Sequence, residues 1–581
     1  MISRTYNINS GEFELKELKT VLCAFNSKYI HSCLAVHSLA RACEFYSDKY
    51  KASCGNLVIR EFTINDIYDS IICSIAAESP DIVAMSTYIW NVNVVSRLCK
   101  DIRKALPSAV IILGGPEVSF GLEHTSISNA DYDYIVKGEG ERAFFSLLAS
   151  LNDDKFVIPG EFGYVLEANT ASAASINNLS EIPFVYDGYD MQEVFTNKIV
   201  YYESSRGCPF RCSYCLSAAC GNVRFLPLER VFDDLYKMMK SGIRQVKFVD
   251  RTFNCNRERA YEIVKFITKE ASQFDINFHF EVGADLFDFE FLNLLSKARR
   301  GQIQLEVGIQ STYSKALEVC CRSASMDKLF SNVNEIVGKE NVNVHVDLIA
   351  GLPMETYERF KVSFNDTYAL KAHQLQLGFL KLLAGAPLNG LVHKYRYVFS
   401  EHSPYEIIRN DSLSYMEISR LKRIEDVLEK YYNSRRFCTS IDLISEAFET
   451  PFEMYEAISE FFEETGNTFR SIASRELYDI LVDFVSEMEV GREWIYRVKN
   501  NMLFDYFSSE HSDCVPVKLR DIWRPYTSYK REAKAIMNEL GIKNDAHNII
   551  RFIDDIPYMF DYSKRDPVTG CFKAVRCRGN V

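Results

Sequence analysis

The chain has 581 residues, 47% of them hydrophobic, and its 79 acidic against 67 basic side chains leave a formal charge of −12. That length and apolar content support three or four packed domains at about 150 residues each, and the acidic balance argues against a general polyanion-binding surface, so nucleic acid is a poor expectation as substrate. Seventeen cysteines without small-scaffold spacing point to a reducing compartment, which makes the cytoplasm the expected location. The opening MISRTYNINSGEFELKELKT has no apolar h-region and no long apolar run follows it, so neither secretion nor a membrane span is expected.

In the first 150 residues short apolar runs alternate with helical patterns. TVLCAF (20–25) precedes a helix from about Ser32, NLVI (56–59) one near 66–77, and DIVAMST (81–87) one over 92–105; AVIILGG (109–115) and DYIVKG (133–138) follow, the latter leading into 141–151. Strands that alternate with helices predict a doubly wound parallel sheet with ligands at the carboxyl ends of its strands. Ser86 and Thr87 end one strand and Gly114-Gly115 another. Hydroxyls there can donate to a ligand and glycines let backbone approach one, while a Gly-Gly pair also reads as a plain turn.

This order resembles the cobalamin-binding domain, and LGGPEVSF followed by VKGEGE is similar to the N-terminal domain of cobalamin-dependent radical S-adenosylmethionine (SAM) enzymes. The resemblance implies that Ser86, Thr87, Gly114, Gly115 and Glu139 hold a corrinoid. The Asp-x-His-x-x-Gly signature of a cobalt-ligating loop is absent; the corresponding loop, Asn26 to Leu34, contains His31 without the Asp before it or the Gly after it. His31 therefore reads either as a cobalt ligand or as a polar loop or helix-cap residue. With the lower face unligated, Tyr88 or Trp90 becomes a possible neighbour, unless these rings are core. Residues 15–155 form this expected domain, and 156–195 an expected linker with an Ala/Ser-rich stretch near 170–178.

From 196 to 390 strand and helix alternate again: KIVYYES (198–204), QVKFVD (245–250), NFHFEV (277–282), QLEVGIQ (304–310), NVHVDLIAG (343–351) and LQLGFLKL (375–382). Six strands with crossovers predict a partial TIM-like barrel with its reacting groups at the carboxyl strand ends. The first strand runs into Gly-Cys-Pro-Phe-Arg-Cys-Ser-Tyr-Cys at 207–215, which spaces Cys208, Cys212 and Cys215 as C-x3-C-x2-C. Three thiolates can hold three irons of a 4Fe-4S cube and leave the fourth open. A zinc knuckle or three free thiols are the alternatives, but no second C-x2-C pair lies nearby.

The motif, with Tyr214 before the last cysteine, resembles the radical SAM superfamily. The resemblance implies a cluster whose open iron binds SAM, and reductive cleavage of SAM to a 5′-deoxyadenosyl radical. Strand-end residues match further positions of that family: Asp250 in V-D-R-T-F-N as acceptor for the SAM amino group or as a helix cap, Glu281 and Gln310 for the ribose or methionine, Arg322 for the SAM carboxylate, and Gly351-Leu352 of G-L-P-M-E against the adenine.

Beyond 391 the pattern becomes helical, as in SYMEISRLKRIEDVLEKYYNSRRF, and S-P-Y-E-I-I with Y-Y-N-S-R-R-F resembles a domain of unknown function that follows the barrel in one group of such proteins. Cys571 and Cys577, like Cys220 and Cys320-Cys321, read as ordinary free thiols.

The expectation is thus an α/β multidomain chain: a Rossmann-like cobalamin domain, a partial (β/α)6 radical SAM barrel and a mainly helical domain over 391–581. It is an enzyme using a 4Fe-4S cluster, SAM and cobalamin, most simply for methyl transfer to unactivated carbon. A cyclising, rearranging or oxidising radical enzyme and a cobalamin or redox sensor are the other readings. A small-molecule or peptide substrate and an electron donor such as flavodoxin or ferredoxin are the expected partners.

Overall fold

A computed structural model describes residues 5–6, 17–219, 222–542 and 547–577. Cys220 lies outside the described residues, as do residues 15–16 of the expected first domain and 578–581. The chain forms two compact units, one of 1–282, 320–323 and 381–408, the other of 283–319, 324–380 and 409–581.

The first unit opens with β1 (Lys19–Asn26), α1 (Leu34–Tyr50), β2 (Asn56–Thr63), α2 (Tyr68–Ala76), β3 (Ile82–Ser86), α3 (Val92–Ala105), β4 (Val110–Gly114), β5 (Tyr134–Val136) and α4 (Gly140–Asn152). The five strands run parallel in the order β2-β1-β3-β4-β5, a doubly wound sheet with its switch point between β1 and β3. Alternate residues of each strand enter opposite cores. Leu22, Ala24, Ile82, Ala84 and Ile112 pack with α1 and α4, whereas Val21, Cys23, Phe25, Val83 and Met85 pack with α2 and α3. Burial on both faces is why these strands read as continuous apolar runs.

The Ala/Ser-rich stretch expected as linker differs from that expectation. Thr170–Ser172 pairs parallel with β5, and Ala171 is fully buried against the α1/α4 core. Small side chains let the added strand pack closely.

The same unit continues with β6 (Val200–Tyr202), a short ribbon of β7 (Ser205–Arg206) and β8 (Arg224–Phe225), α5 (Leu228–Lys240), β9 (Gln245–Phe248), α6 (Arg257–Glu270) and β10 (Asn277–Val282). β6, β9 and β10 are parallel. In the second unit β11 (Ile303–Gln310), β12 (Asn343–Ala350) and β13 (Gln374–Phe379) are parallel too, so all six predicted strands of the central region form.

The second unit then carries helices from Tyr415 to Ser509, and ends with an antiparallel sheet of β14 (Asn548–Ile553), β15 (Ile556–Arg565) and β16 (Phe572–Arg576) that the sequence analysis did not expect. Asp554 and Asp555 both have positive φ, 51° and 57°, between the paired Ile553 and Ile556, the backbone a two-residue type I′ hairpin requires. No helix among the described residues is long and apolar enough to cross a membrane.

Candidate active site

The loop between β7 and β8 carries the three cysteines. Gly207 opens it at φ 107°, where a Cβ would lie 3.1 Å from the Asn222 carbonyl oxygen and 3.3 Å from Val223 Cα, so the neck admits only glycine. Cys212 is buried, Cys208 and Cys215 half-buried, and all three are free thiols. Thr252 Oγ1 stands 3.7 Å from Cys208 Sγ, the Ser217 amide donates to Cys215 Sγ at 3.4 Å, and an Arg322 guanidinium nitrogen lies 4.0 Å from Cys212 Sγ. Mid-loop, the Ser213 amide donates to the Cys320 carbonyl at 2.9 Å while its carbonyl accepts from the Leu388 amide at 2.8 Å. The loop is therefore held from two sides, by the backbones of Cys320 and Leu388.

Among the described residues no three His, Cys, Asp or Glu side chains converge as ligands of a single ion. A zinc knuckle needs that convergence. A cube with one thiolate on each of three irons does not, and donor groups near its sulfurs are what tune it. The free thiols, the pinned loop and the donors to sulfur fit such a cluster.

Tyr214 is half-buried near Cys212 and Arg322, and burial of its hydroxyl pushes that group far up, against the pull of Arg322. Asp250 is not the helix cap. It accepts from the Ser204 amide at 2.8 Å and from the Ser204 and Ser205 hydroxyls at 2.6 Å each, and Asn256 is the residue that caps α6, accepting from the Arg259 amide. Asp250 is 1% exposed, and burial pushes its carboxyl up against those donors. Its place is to fasten the end of β6 to the end of β9, beneath the cysteine loop.

Glu281 is half-buried on β10. Gln310 and Gly351-Leu352 belong to the second unit. Gln310 closes β11 at φ 71° after a register shift, and Gly351 follows β12 at φ 99°, its carbonyl accepting from Asn410 Nδ2 at 3.1 Å. Leu352 is wholly buried. The Glu355 carboxylate accepts from Ser311 Oγ at 2.6 Å and Ser363 Oγ at 2.7 Å, which locks the turn after Gln310. A positive φ on a non-glycine strand end is strain held by such surroundings.

At the carboxyl edge of the N-terminal sheet, Thr87 Oγ1 is fully buried without a hydrogen-bond partner in the structure, beside Ser86. Tyr88 and Trp90 stack at 4.4 Å with planes 7° apart, and Trp90 is 45% exposed, which sets a flat aromatic face at this edge. An unpartnered hydroxyl and an open ring face fit a corrinoid.

Two expected contacts have other occupations. At φ 113° a Cβ on Gly115 would lie 2.4 Å from the Thr87 carbonyl oxygen, so the glycine is required by the chain's own backbone, while Gly114 meets only ordinary contacts. His31 Nδ1 shares a 2.6 Å hydrogen bond with Tyr201 Oη, and its backbone forms a bridge to Ile199. Burial, then Lys28 and Lys247, lower the His31 pKa. The loop that would carry a cobalt ligand is docked on β6.

Beneath that loop Glu61 accepts from Asn26 Nδ2 and His37 Nε2, both at 2.7 Å, and from the Cys33 amide at 3.1 Å. Burial pushes the Glu61 carboxyl up, but His37 prevails and brings it down to about 2. Glu139 is bound by Arg206 and Arg224. Nothing but a scattered Asn, Glu and His marked the Glu61 network in the sequence.

Family models match in three places: the B12 binding domain over residues 21–148, the Radical SAM superfamily over 202–366, and a protein of unknown function, DUF4080, over 393–554. The chain carries a B12 binding domain and a radical SAM domain. Its radical SAM domain implies a 4Fe-4S cluster and SAM, and its B12 domain implies cobalamin. The cobalamin-dependent radical SAM methyltransferase TokK of Streptomyces tokunonensis is 27% identical over 53% of this chain and 48% of its own length, so the chain spans about half of that relative. Among solved structures, the cobalamin-dependent radical SAM enzyme OxsB with aqua-cobalamin bound aligns with a TM-score of 0.55 at 14% identity, covering 93% of this chain and 85% of that one. TsrM from Kitasatospora setae, with cobalamin and a [4Fe-4S] cluster bound, aligns at 0.51 and 18% identity over 66% and 76%. At these identities the likeness establishes the radical SAM chain's fold.

Proposed function

We propose that this radical SAM chain is a cobalamin-dependent methyltransferase acting on an unactivated carbon. The observation that carries the reading is a pinned loop of three free cysteines in the same compact unit as a sheet edge with an unpartnered buried hydroxyl and an open aromatic face. When bound, the cluster and SAM supply a 5′-deoxyadenosyl radical, and cobalamin supplies the methyl group.

The chain's residues hold and orient these groups. Cys208, Cys212 and Cys215 hold the cluster, and Arg322, beside Cys212, is the cation for the SAM carboxylate. Asp250 keeps the root of the loop in place, and Thr87 with the Tyr88–Trp90 pair receives the corrinoid. TsrM has been solved with tryptophan as substrate; a small molecule or peptide is the substrate class we adopt, with a flavodoxin- or ferredoxin-like donor as the electron source.

The deciding experiment is metal analysis and turnover of anaerobically purified protein produced with cobalamin. About four irons and one cobalt per chain, and transfer of a labelled methyl group from SAM to product, are expected. Deoxyadenosine without methyl gain would replace methyl transfer by cyclisation, rearrangement or oxidation, and absence of SAM turnover would leave a sensor.

A further inference from the structure

We propose that Glu139, at the start of α4 in the B12-binding domain, is the clasp that closes the neck of the cysteine loop, so that this domain helps hold the cluster. The inference rests on the reading of Cys208, Cys212 and Cys215 as cluster ligands.

The cysteine loop leaves and re-enters the fold through the β7–β8 ribbon, where Arg206 stands directly opposite Arg224. Like charges facing each other across a two-stranded ribbon push it apart. Here both guanidinia turn to one carboxylate. Arg206 donates to Glu139 Oε2 at 3.0 Å, Arg224 donates to the same oxygen at 3.1 Å and also to Oε1, and the Ile176 amide adds a fourth donor at 3.1 Å. Arg206 is further tied to Glu141 at 2.8 Å and to Glu203 at 2.7 Å.

These side chains are mostly buried, with exposures of 17% for Arg206, 18% for Glu139 and 19% for Arg224, so the pairs are poorly screened and multiply hydrogen-bonded. Burial raises the Glu139 carboxyl, and the two arginines hold it below its ordinary value. Its Oε2 takes three protein donors and its Oε1 one, so the carboxylate is already committed to the neck of the loop. Gly207, next to Arg206, supplies the close approach of the two strands at this neck.

A loop with its ends held together presents its thiolates at a smaller entropic cost than an open one. Without Glu139 the two arginines repel and the neck opens.

The test uses the full chain, loaded with cluster and cobalamin, as wild type, Glu139→Gln, and a triple variant with Cys208, Cys212 and Cys215 changed to Ala. Iron content, the EPR signal of the reduced cluster, iron loss to a chelator and corrinoid absorbance are read anaerobically. Glu139→Gln is expected to keep cobalamin and to release iron about tenfold faster, in line with the loss of a charge-assisted pair, with a broadened cluster signal. Wild-type iron release overturns the clasp, as does loss of cobalamin with iron release unchanged, which would return Glu139 to the corrinoid. Iron retained by the triple cysteine variant overturns the cluster reading itself, separately from the clasp. Should Glu139→Gln load no cluster, amide hydrogen exchange of the metal-free chain decides: faster exchange confined to 207–223 supports the clasp, and unchanged exchange there refutes it.

Discussion

Two sets of buried carboxylates, one in each unit, are handled in opposite ways. In the first unit Glu61 faces His37, and Glu139 and Glu141 face Arg206, and all three are held below their ordinary range although burial alone would raise them. In the second unit Glu355 and Asp505 are met mainly by neutral donors, Ser311 and Ser363 for the one, Thr439 and Ser440 for the other, and burial wins; Asp505 is pushed up to about 6. A charged partner can outweigh the cost of burial, as Arg206 does at Glu139 and Glu141, while hydroxyls only soften it. The ionised set lies at the roots of the loops assigned to cluster and corrinoid, where fixed charges join distant segments. The first unit has two exceptions: Asp250, whose partners are serines, and Asp234, which burial keeps raised although Arg230 faces it.

The largest effect expected from breaking this contrast is in Glu61→Ala. Removing one partner of a buried pair costs about 3 kcal/mol and frees the loop from Asn26 to Cys33, so thermal melts should fall and corrinoid retention with them. Gly115→Ala forces a Cβ onto Thr87 and a side chain into positive φ; about 2 kcal/mol of stability should go, and an unchanged melting temperature would mean that β3 and β4 do not meet as described.

The next effect is one of sign. For Glu61, lowered from 4.5 to about 2, stability is present above pH 4.5 and lost as pH falls toward 2. For Asp505, raised from 3.8 to about 6, stability is present below pH 3.8 and lost as pH rises through 6. Melts of Glu61→Gln and Asp505→Asn, each paired with wild type across this range, should diverge in opposite directions, and parallel curves would erase the contrast. The smallest effect is Tyr201→Phe, which removes the His31 hydrogen bond for about 1 kcal/mol; the EPR spectrum of bound cob(II)alamin should not change, whereas altered nitrogen coupling would restore His31 as a ligand.

The five strands and four helices of the N-terminal sheet were legible because each apolar run is buried on both faces and each helix follows directly. The second unit's hairpin was less legible: Asp554-Asp555 occupies a turn more often marked by Asn-Gly or Asp-Gly. Within the site, the cysteine spacing and the strand-end glycines were readable, but the assignments of Asp250, Glu139 and His31 followed residue type and position, and each has different partners in the fold. Glu355 stood in a quoted motif without a role until Ser311 and Ser363 were brought to it.

By itself the sequence determined the elements and the kind of chemistry, since strand periodicity and C-x3-C-x2-C spacing are local properties of neighbouring residues. Only the tertiary structure decided which polar side chains are left for ligands. A carboxylate or imidazole is satisfied by any suitable donor that the fold delivers, and here those donors come from 44 to 170 residues away: Ser205 to Asp250, Arg206 to Glu139, Tyr201 to His31, Ser311 to Glu355.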